Sequence, residues 1–196
     1  MAIVHHLADV NTWTCGPIKS YSNCKFTPIL DATGSVPKIQ TCQGSKNFVQ
    51  DILLGERWGS LTLQTDSSFK DFLHELREFA LRQTESNCLE WFGKCVERES
   101  IVNMYEDIKI HIDLHNSNIW LSNQAESHCR IGTWQQLSKG TAVIPCLNVQ
   151  GIYFKPKQMG LSILCSDLLV FPDVKLPFQL EMKVIDADDF PENEEC

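Results

Sequence analysis

Apolar positions follow the two-residue repeat of strands over most of this chain. The apolar stretches are short and are bounded by Gly, Pro, Ser and Asn, as strands are in all-β proteins. Between residues 108 and 115 the alternation is strict, and residues 119–121 complete a predicted hairpin with that strand. Strands are predicted at residues 25–30, 37–42, 60–64, 108–115, 119–121, 141–154 and 161–171.

One segment has the three- and four-residue spacing of a helix instead. Phe69, Phe72, Leu76 and Phe79 form an apolar stripe, and residues 66–68 offer N-cap side chains before it. Two more helices are predicted, one over residues 85–92 and one over residues 100–105. The helices form an insertion at about residues 66–105. This order favours an all-β barrel or sandwich with a helical insertion over a parallel βαβ sheet.

The last eleven residues differ in composition from the rest. They hold six of the 25 acidic residues, no Lys or Arg, and one aromatic residue, Phe190. Such a segment has too little apolar surface to fold, so residues 185–196 are expected to be a disordered acidic tail. The body, residues 1–184, then has 17 basic against 19 acidic residues and is nearly neutral. Composition leaves open whether the tail aids solubility or binds a basic groove or partner.

Nine scattered cysteines form no C-x-x-C pair. Free thiols in a reducing compartment explain this pattern better than a disulfide framework. The N-terminus lacks a signal-peptide pattern, and no segment has the roughly 20 apolar residues that span a bilayer. We therefore expect an intracellular protein without a membrane partner.

The common catalytic motifs do not occur in the sequence. His111, Asp113 and His115 share one face of a predicted strand and offer three potential metal ligands. Any solvent-facing side of a strand would show a similar polar set, because the opposite face is apolar. We expect no enzymatic activity, no cofactor and no metal. A metal-dependent nuclease is the alternative that this cluster keeps open.

Aromatic residues beside basic residues are more informative. Single-stranded nucleic acid binds rings that stack on its bases and cations that meet its phosphates, with about 1–3 kcal/mol for each stacked base. A core aromatic beside a solvated lysine gives the same local pattern, so convergence in one groove is the deciding property. The candidate single-stranded DNA contacts are Arg57, Trp58, Trp120, Arg130, Tyr153, Lys155 and Lys157.

Two stretches of the chain resemble a known family. One contains Trp91-Phe92-Gly93-Lys94 followed by Met104-Tyr105, and the other contains Gly151-Ile152-Tyr153-Phe154 followed by Met159-Gly160-Leu161. Motifs in this order resemble those of OB-fold single-stranded DNA-binding proteins of large eukaryotic DNA viruses. That family is similar to the acidic-tailed single-stranded DNA-binding protein of short-tailed phages. The resemblance spans roughly residues 38–172.

The resemblance implies an OB-like antiparallel β-barrel that coats and protects single-stranded DNA during viral replication or recombination. It places the protein in the host nucleus or at a viral replication site. The tail would compete with DNA and recruit a basic surface of a polymerase or helicase, and assembly into a homo-oligomer stays open. The tail residues concerned are Asp186, Asp188, Asp189, Phe190, Glu192, Glu194 and Glu195.

A different class of protein is the main alternative to this function. The same fold would serve a protein-interaction module or a virion structural module that does not bind nucleic acid. Salt-dependent affinity for an oligonucleotide separates the two, because only phosphate contacts release counterions.

Overall fold

The structure, a computed structural model, describes residues 9–41, 47–122 and 129–175. Within these ranges the chain is mainly β with a helical insertion, as predicted. The predicted tail lies outside them. The strands are β1 (Thr14–Cys15), β2 (Lys19–Ser20), β3 (Lys25–Leu30), β4 (Lys38–Gln40), β5 (Asn47–Leu54), β6 (Trp58–Gln64), β7 (Ile110–Asp113), β8 (Asn118–Ser122), β9 (Cys129–Ile131), β10 (Thr141–Lys155) and β11 (Gln158–Lys175). The helices are α1 (Ser67–Phe92) and α2 (Arg98–Met104), with 3₁₀ turns at Val10–Thr12 and Trp134–Gln136.

Five of these strands pair in a closed circuit. β5 pairs with β6, β6 with β7, β7 with β11, β11 with β10, and β10 again with β5. β3 and β4 also pair with β10, whereas β8 and β9 extend the sheet beside β11. Leu61, Ile110 and Ile163 lie opposite one another on three neighbouring strands, and all three are buried. The strand alternation therefore turns one face of the circuit into the core.

The predicted hairpin between residues 108–115 and 119–121 is wrong. β7 and β8 do not pair with each other within the described structure, and each pairs with β11 in parallel. Ile112 lies opposite Cys165 and Asn118 lies opposite Asp167, so the two strands follow one another along the same edge. The turn at Asp113 carries the chain onward instead of back. The sheet is thus mixed, although antiparallel pairing was predicted.

Helix α1 is one continuous helix where two were predicted. Asp66 is the N-cap, as predicted, and its carboxylate accepts the N–H of Phe69 at 2.9 Å. Between the two predicted segments the buried Thr84 lies within the helix, and its hydroxyl donates to the carbonyl of Ala80, four residues earlier, at 2.8 Å. The helix ends at Gly93, whose left-handed φ of 71° favours glycine.

The predicted apolar stripe of α1 is buried. Trp13 packs edge-on against Phe72 and Phe79, with ring centroids 6.4 Å apart in both pairs. At the other end of the helix, Phe92 packs against Phe154 of β10 at 5.0 Å. These aromatic contacts hold the N-terminal half and the C-terminal end of α1 against the core, and they place its C-terminus beside the β10–β11 turn.

The described cysteines are unpaired. Cys88 and Cys165 are buried, and burial raises the pKa of the Cys165 thiol. A thiol that stays protonated in an apolar environment acts as a small hydrophobic side chain. The structure therefore contains no disulfide among the seven described cysteines, and two others lie outside the described ranges.

We predict that Gly93→Ala lowers the free energy of unfolding by about 1–2 kcal/mol, because an L-residue with a β-carbon is strained at this φ. Gly93→Asn is the matched control and should cost less, since Asn tolerates the left-handed region. Urea denaturation of both variants measures the difference. Equal losses for Ala and Asn would contradict this explanation of the helix end.

Candidate nucleic-acid interface

The turn between β5 and β6 presents a cation and an exposed ring. Pairing of the two strands ends at Leu54 and Gly59, and the N–H of Gly55 donates to the carbonyl of Trp58 at 3.0 Å. Trp58 follows the turn and is 53% exposed. The Arg57 guanidinium lies 5.3 Å from the centre of the Trp58 ring. A large exposed ring beside a cation suits stacking with a base next to a phosphate.

The turn between β10 and β11 presents two lysines. Lys155 lies opposite Gln158, so Pro156 and Lys157 form a two-residue turn. Lys157 has a positive φ of 66°, and a proline followed by such a residue is typical of a type II turn. Lys155 and Lys157 are both exposed. The tightness of this hairpin therefore holds two cations at its tip.

Tyr153 is the third candidate on this hairpin, and it is held on several sides. Its hydroxyl donates to a Glu106 carboxylate oxygen at 2.5 Å, and burial and this bond raise the pKa of the hydroxyl. The ring covers Gly160, where a β-carbon would lie only 2.6 Å from the Tyr153 oxygen. The Lys155 ammonium lies 5.1 Å from the ring centre. A base can stack on Tyr153 only after displacing Lys155.

The strand register places these residues on the same face of the sheet, away from the core. Trp58 lies opposite Asp113 on β7, and Tyr153 lies opposite Gly160 on β11. His111 lies between them on β7, where burial lowers its pKa and the charges of Lys109 and Lys155 lower it further. Along β11, six residues separate the level of Trp58 from the level of Tyr153, which corresponds to about 20 Å.

Lys109 was not among the predicted contacts. It is exposed, and its charge reaches the same half-buried His111 as that of Lys155. The strict alternation of residues 108–115 was the signal for it, because Lys109 and His111 are two positions apart and share the polar face.

Trp120 extends this face toward β8, whereas Arg130 does not. Trp120 is half-buried between Ile119 and Leu121, which point into the core. Its indole Nε1 donates to the Asp167 carboxylate at 3.1 Å. Arg130 lies opposite Leu121 and therefore shares the direction of that side chain, opposite to Trp120. The structure thus separates Arg130 from the other six candidates.

Carboxylates accompany the candidate residues along this face. Asp113 lies 3.7 Å from Arg57, just as Glu106 binds Tyr153 and Asp167 binds Trp120. Tyr153 and Trp120 are each separated from their acidic partner by 47 residues in the sequence. Sequence proximity had therefore revealed the cations beside the rings but not the anions. Because these carboxylates lie near the cations, the positive field that a phosphate meets on this face is weaker than the number of cations suggests.

The metal-site alternative depends on His111, Asp113 and His115. The Asp113 carboxylate accepts the side-chain N–H of Asn116 at 2.7 Å and the backbone N–H of His115 at 3.1 Å. It therefore organises the turn after β7. Among the described residues, no three His, Cys, Asp or Glu side chains converge as metal ligands would. The described structure gives a metal-dependent nuclease no assembled ligand set.

Comparisons with protein-family models, curated proteins and solved structures found no match to this chain. Within the described residues, neither helix has the length and apolar composition needed to cross a membrane.

We predict that Asp113→Asn lowers the melting temperature near neutral pH. The Asn116 hydrogen bond, the His115 N–H and the Arg57 charge hold the pKa of Asp113 below its ordinary value, although burial opposes them. A carboxylate with a lowered folded-state pKa stabilises the fold above its unfolded pKa of about 3.9, and this contribution is lost as the pH falls through the folded pKa.

The difference in melting temperature between wild type and Asp113→Asn should therefore narrow as the pH falls from about 5 to about 2. Asp71→Asn, on the exposed side of α1, is the matched control and should leave the melting temperature close to wild type. A gap for Asp113→Asn that stays constant over this pH range would refute the charge-dependent role.

Proposed function

We propose that this chain is a single-stranded DNA-binding protein whose described part is an OB-like barrel. The closed circuit of five strands supports this, because an OB fold is a five-stranded Greek-key barrel. In chain order the circuit strands are β5, β6, β7, β10 and β11. The helical insertion lies between the second and the third of them, and the parallel contact joins the third to the fifth.

The position of the candidate residues carries the proposal. OB folds bind oligonucleotides on the face of their second and third strands, together with the loops that join strands one to two and four to five. The corresponding elements here are the β6–β7 face, the β5–β6 turn and the β10–β11 turn. Five of the seven predicted contacts belong to these two hairpins: Arg57, Trp58, Tyr153, Lys155 and Lys157.

The proposed mechanism is stoichiometric coating without bond chemistry. Trp58 offers a ring on which a base of any identity can stack, since every base has a π-face. Lys155 and Lys157 at the hairpin tip, with Lys109 beside them, meet the phosphates. Counterions released from these phosphates make the affinity fall as salt rises.

The acidic tail completes the proposal as a competitor of DNA. Residues 186–195 carry six carboxylates, and their tether gives them an effective concentration of order mM near the body. Weak attraction to the lysines is enough for the tail to occupy the empty site. Bound DNA displaces it and frees it for a basic surface on a polymerase or helicase.

We predict that Trp58→Ala weakens binding to oligo-dT about 5- to 150-fold, because a stacked base contributes about 1–3 kcal/mol. Fluorescence anisotropy at fixed salt measures the affinity. Leu89→Ala is the matched control, since Leu89 is 63% exposed on α1 and its truncation also removes an exposed apolar side chain.

Tryptophan fluorescence of the wild type should be quenched by the oligonucleotide. Absence of both quenching and a mobility shift at low salt would refute the function.

We predict that truncation after Val184 raises the affinity for oligo-dT and steepens its salt dependence, because the competing carboxylates are gone. A full-length variant with the six tail carboxylates changed to amides is the matched control for chain length and should behave like the truncation. Unchanged affinity and an unchanged salt slope in both variants would exclude competition between the tail and DNA for the site.

A protein-interaction or virion structural module is the second candidate, and one observation favours it. Leu53 and Leu54 are 65% and 43% exposed at the tip that also carries Trp58. An apolar tip of this kind suits a protein surface as well as a base. In that case the wild type would show no salt-dependent affinity for oligo-dT.

A further inference from the structure

Two adjoining cavities flank the β10–β11 turn on the side of the helices. One, of about 380 Å³, lies between the turn, the C-terminal end of α1 and α2. The other, of about 510 Å³, lies between the turn and the segment that joins β2 to β3. Both are lined by Phe92, Phe154 and Lys155. The two cavities share these three lining residues and are together called the hairpin trough here, and each has the volume of a small-ligand site.

The floor of the hairpin trough is aromatic and firmly packed. Phe92 meets the edge of Phe154 at 5.0 Å, and Trp91 packs behind it at 5.6 Å from Phe154. Tyr21 lines the rim and is 58% exposed. A rigid floor with one exposed ring at its edge provides a stacking surface that needs no rearrangement of the core.

Three lysines line the hairpin trough. Lys25 donates to the carbonyl of Trp91 at 2.7 Å and lies 5.4 Å from the Phe92 ring centre, which leaves further N–H groups of its ammonium for a ligand. Lys94 and Lys155 are exposed. No Asp or Glu is among the described residues that line the two cavities. The trough differs in this from the β6–β7 face, where carboxylates accompany the rings.

We propose that the hairpin trough is a second contact site for single-stranded nucleic acid, an inference that rests on the proposed function. Lys155 belongs to both surfaces, because it lies over Tyr153 on the face and also lines the trough. The strand runs from the β6–β7 face over the hairpin tip into the trough. There a base stacks on Tyr21, and Lys94 and Lys155 meet the adjacent phosphates.

Two variants test this site in the full-length protein with oligo-dT as the probe. Tyr21→Ala should weaken binding about 5- to 150-fold, whereas Tyr21→Phe keeps the ring and should bind like wild type. Lys94→Gln should reduce the magnitude of the salt slope by about 0.7, the value for one phosphate contact on a single strand. Lys70→Gln makes the same change at the exposed opposite end of α1 and should leave the slope unchanged.

The outcomes separate the trough from the proposed function. In one outcome, wild type binds and Trp58→Ala weakens binding, but Tyr21→Ala and Lys94→Gln behave like their controls. The second contact site in the trough is then refuted, and the proposed function stands. If wild type does not bind, both are refuted. If Tyr21→Ala and Lys94→Gln strengthen binding, and truncation after Val184 removes that gain, the acidic tail occupies the trough and the proposal for nucleic acid is overturned.

Discussion

The antiparallel pairing of β10 with β11 is the constraint on which the rest of the structure depends. It runs from Thr141 opposite Lys175 to Lys155 opposite Gln158, and three register shifts interrupt it. β10 also pairs with β3, β4 and β5, while β11 pairs with β7 and β8. Bulges bend a strand and increase its twist. This bending allows two long strands to take part in a closed circuit instead of a flat sheet with exposed edges.

The same hairpin determines where charge can act. Its tight turn sets Lys155 at the boundary between two surfaces of different character, one with carboxylates beside its rings and one whose charged lining residues are all lysines. A near-neutral body can therefore present a local positive field, because the acidic residues are unevenly distributed and not because they are few. The net charge of −8 conveys none of this arrangement.

Local patterns predicted many of the elements, although not β5 of the circuit, and they predicted the distant partners poorly. β3 has the predicted bounds, and the stripe of α1 is buried as expected, because alternation and helical spacing are properties of neighbouring residues. The pairing of β7 and β8 with β11 joins residues about 50 positions apart, and no local signal announces it. The same holds at the candidate site, where Arg57 and Trp58 are adjacent but Glu106 reaches Tyr153 only through the fold.

The parallel contact between β7 and β11 has a consequence for biosynthesis. β11 is the last described strand of the chain, and it supplies the pairing partner of β7, β8 and β10. The ribosome therefore synthesises the helices and most of the sheet before the circuit can close. Until then, Ile110 and Ile112 of β7 lack their neighbours on β11. Closing the circuit thus depends on contacts between distant parts of the sequence, a property that in general slows folding and exposes incomplete sheets to chaperones and to aggregation.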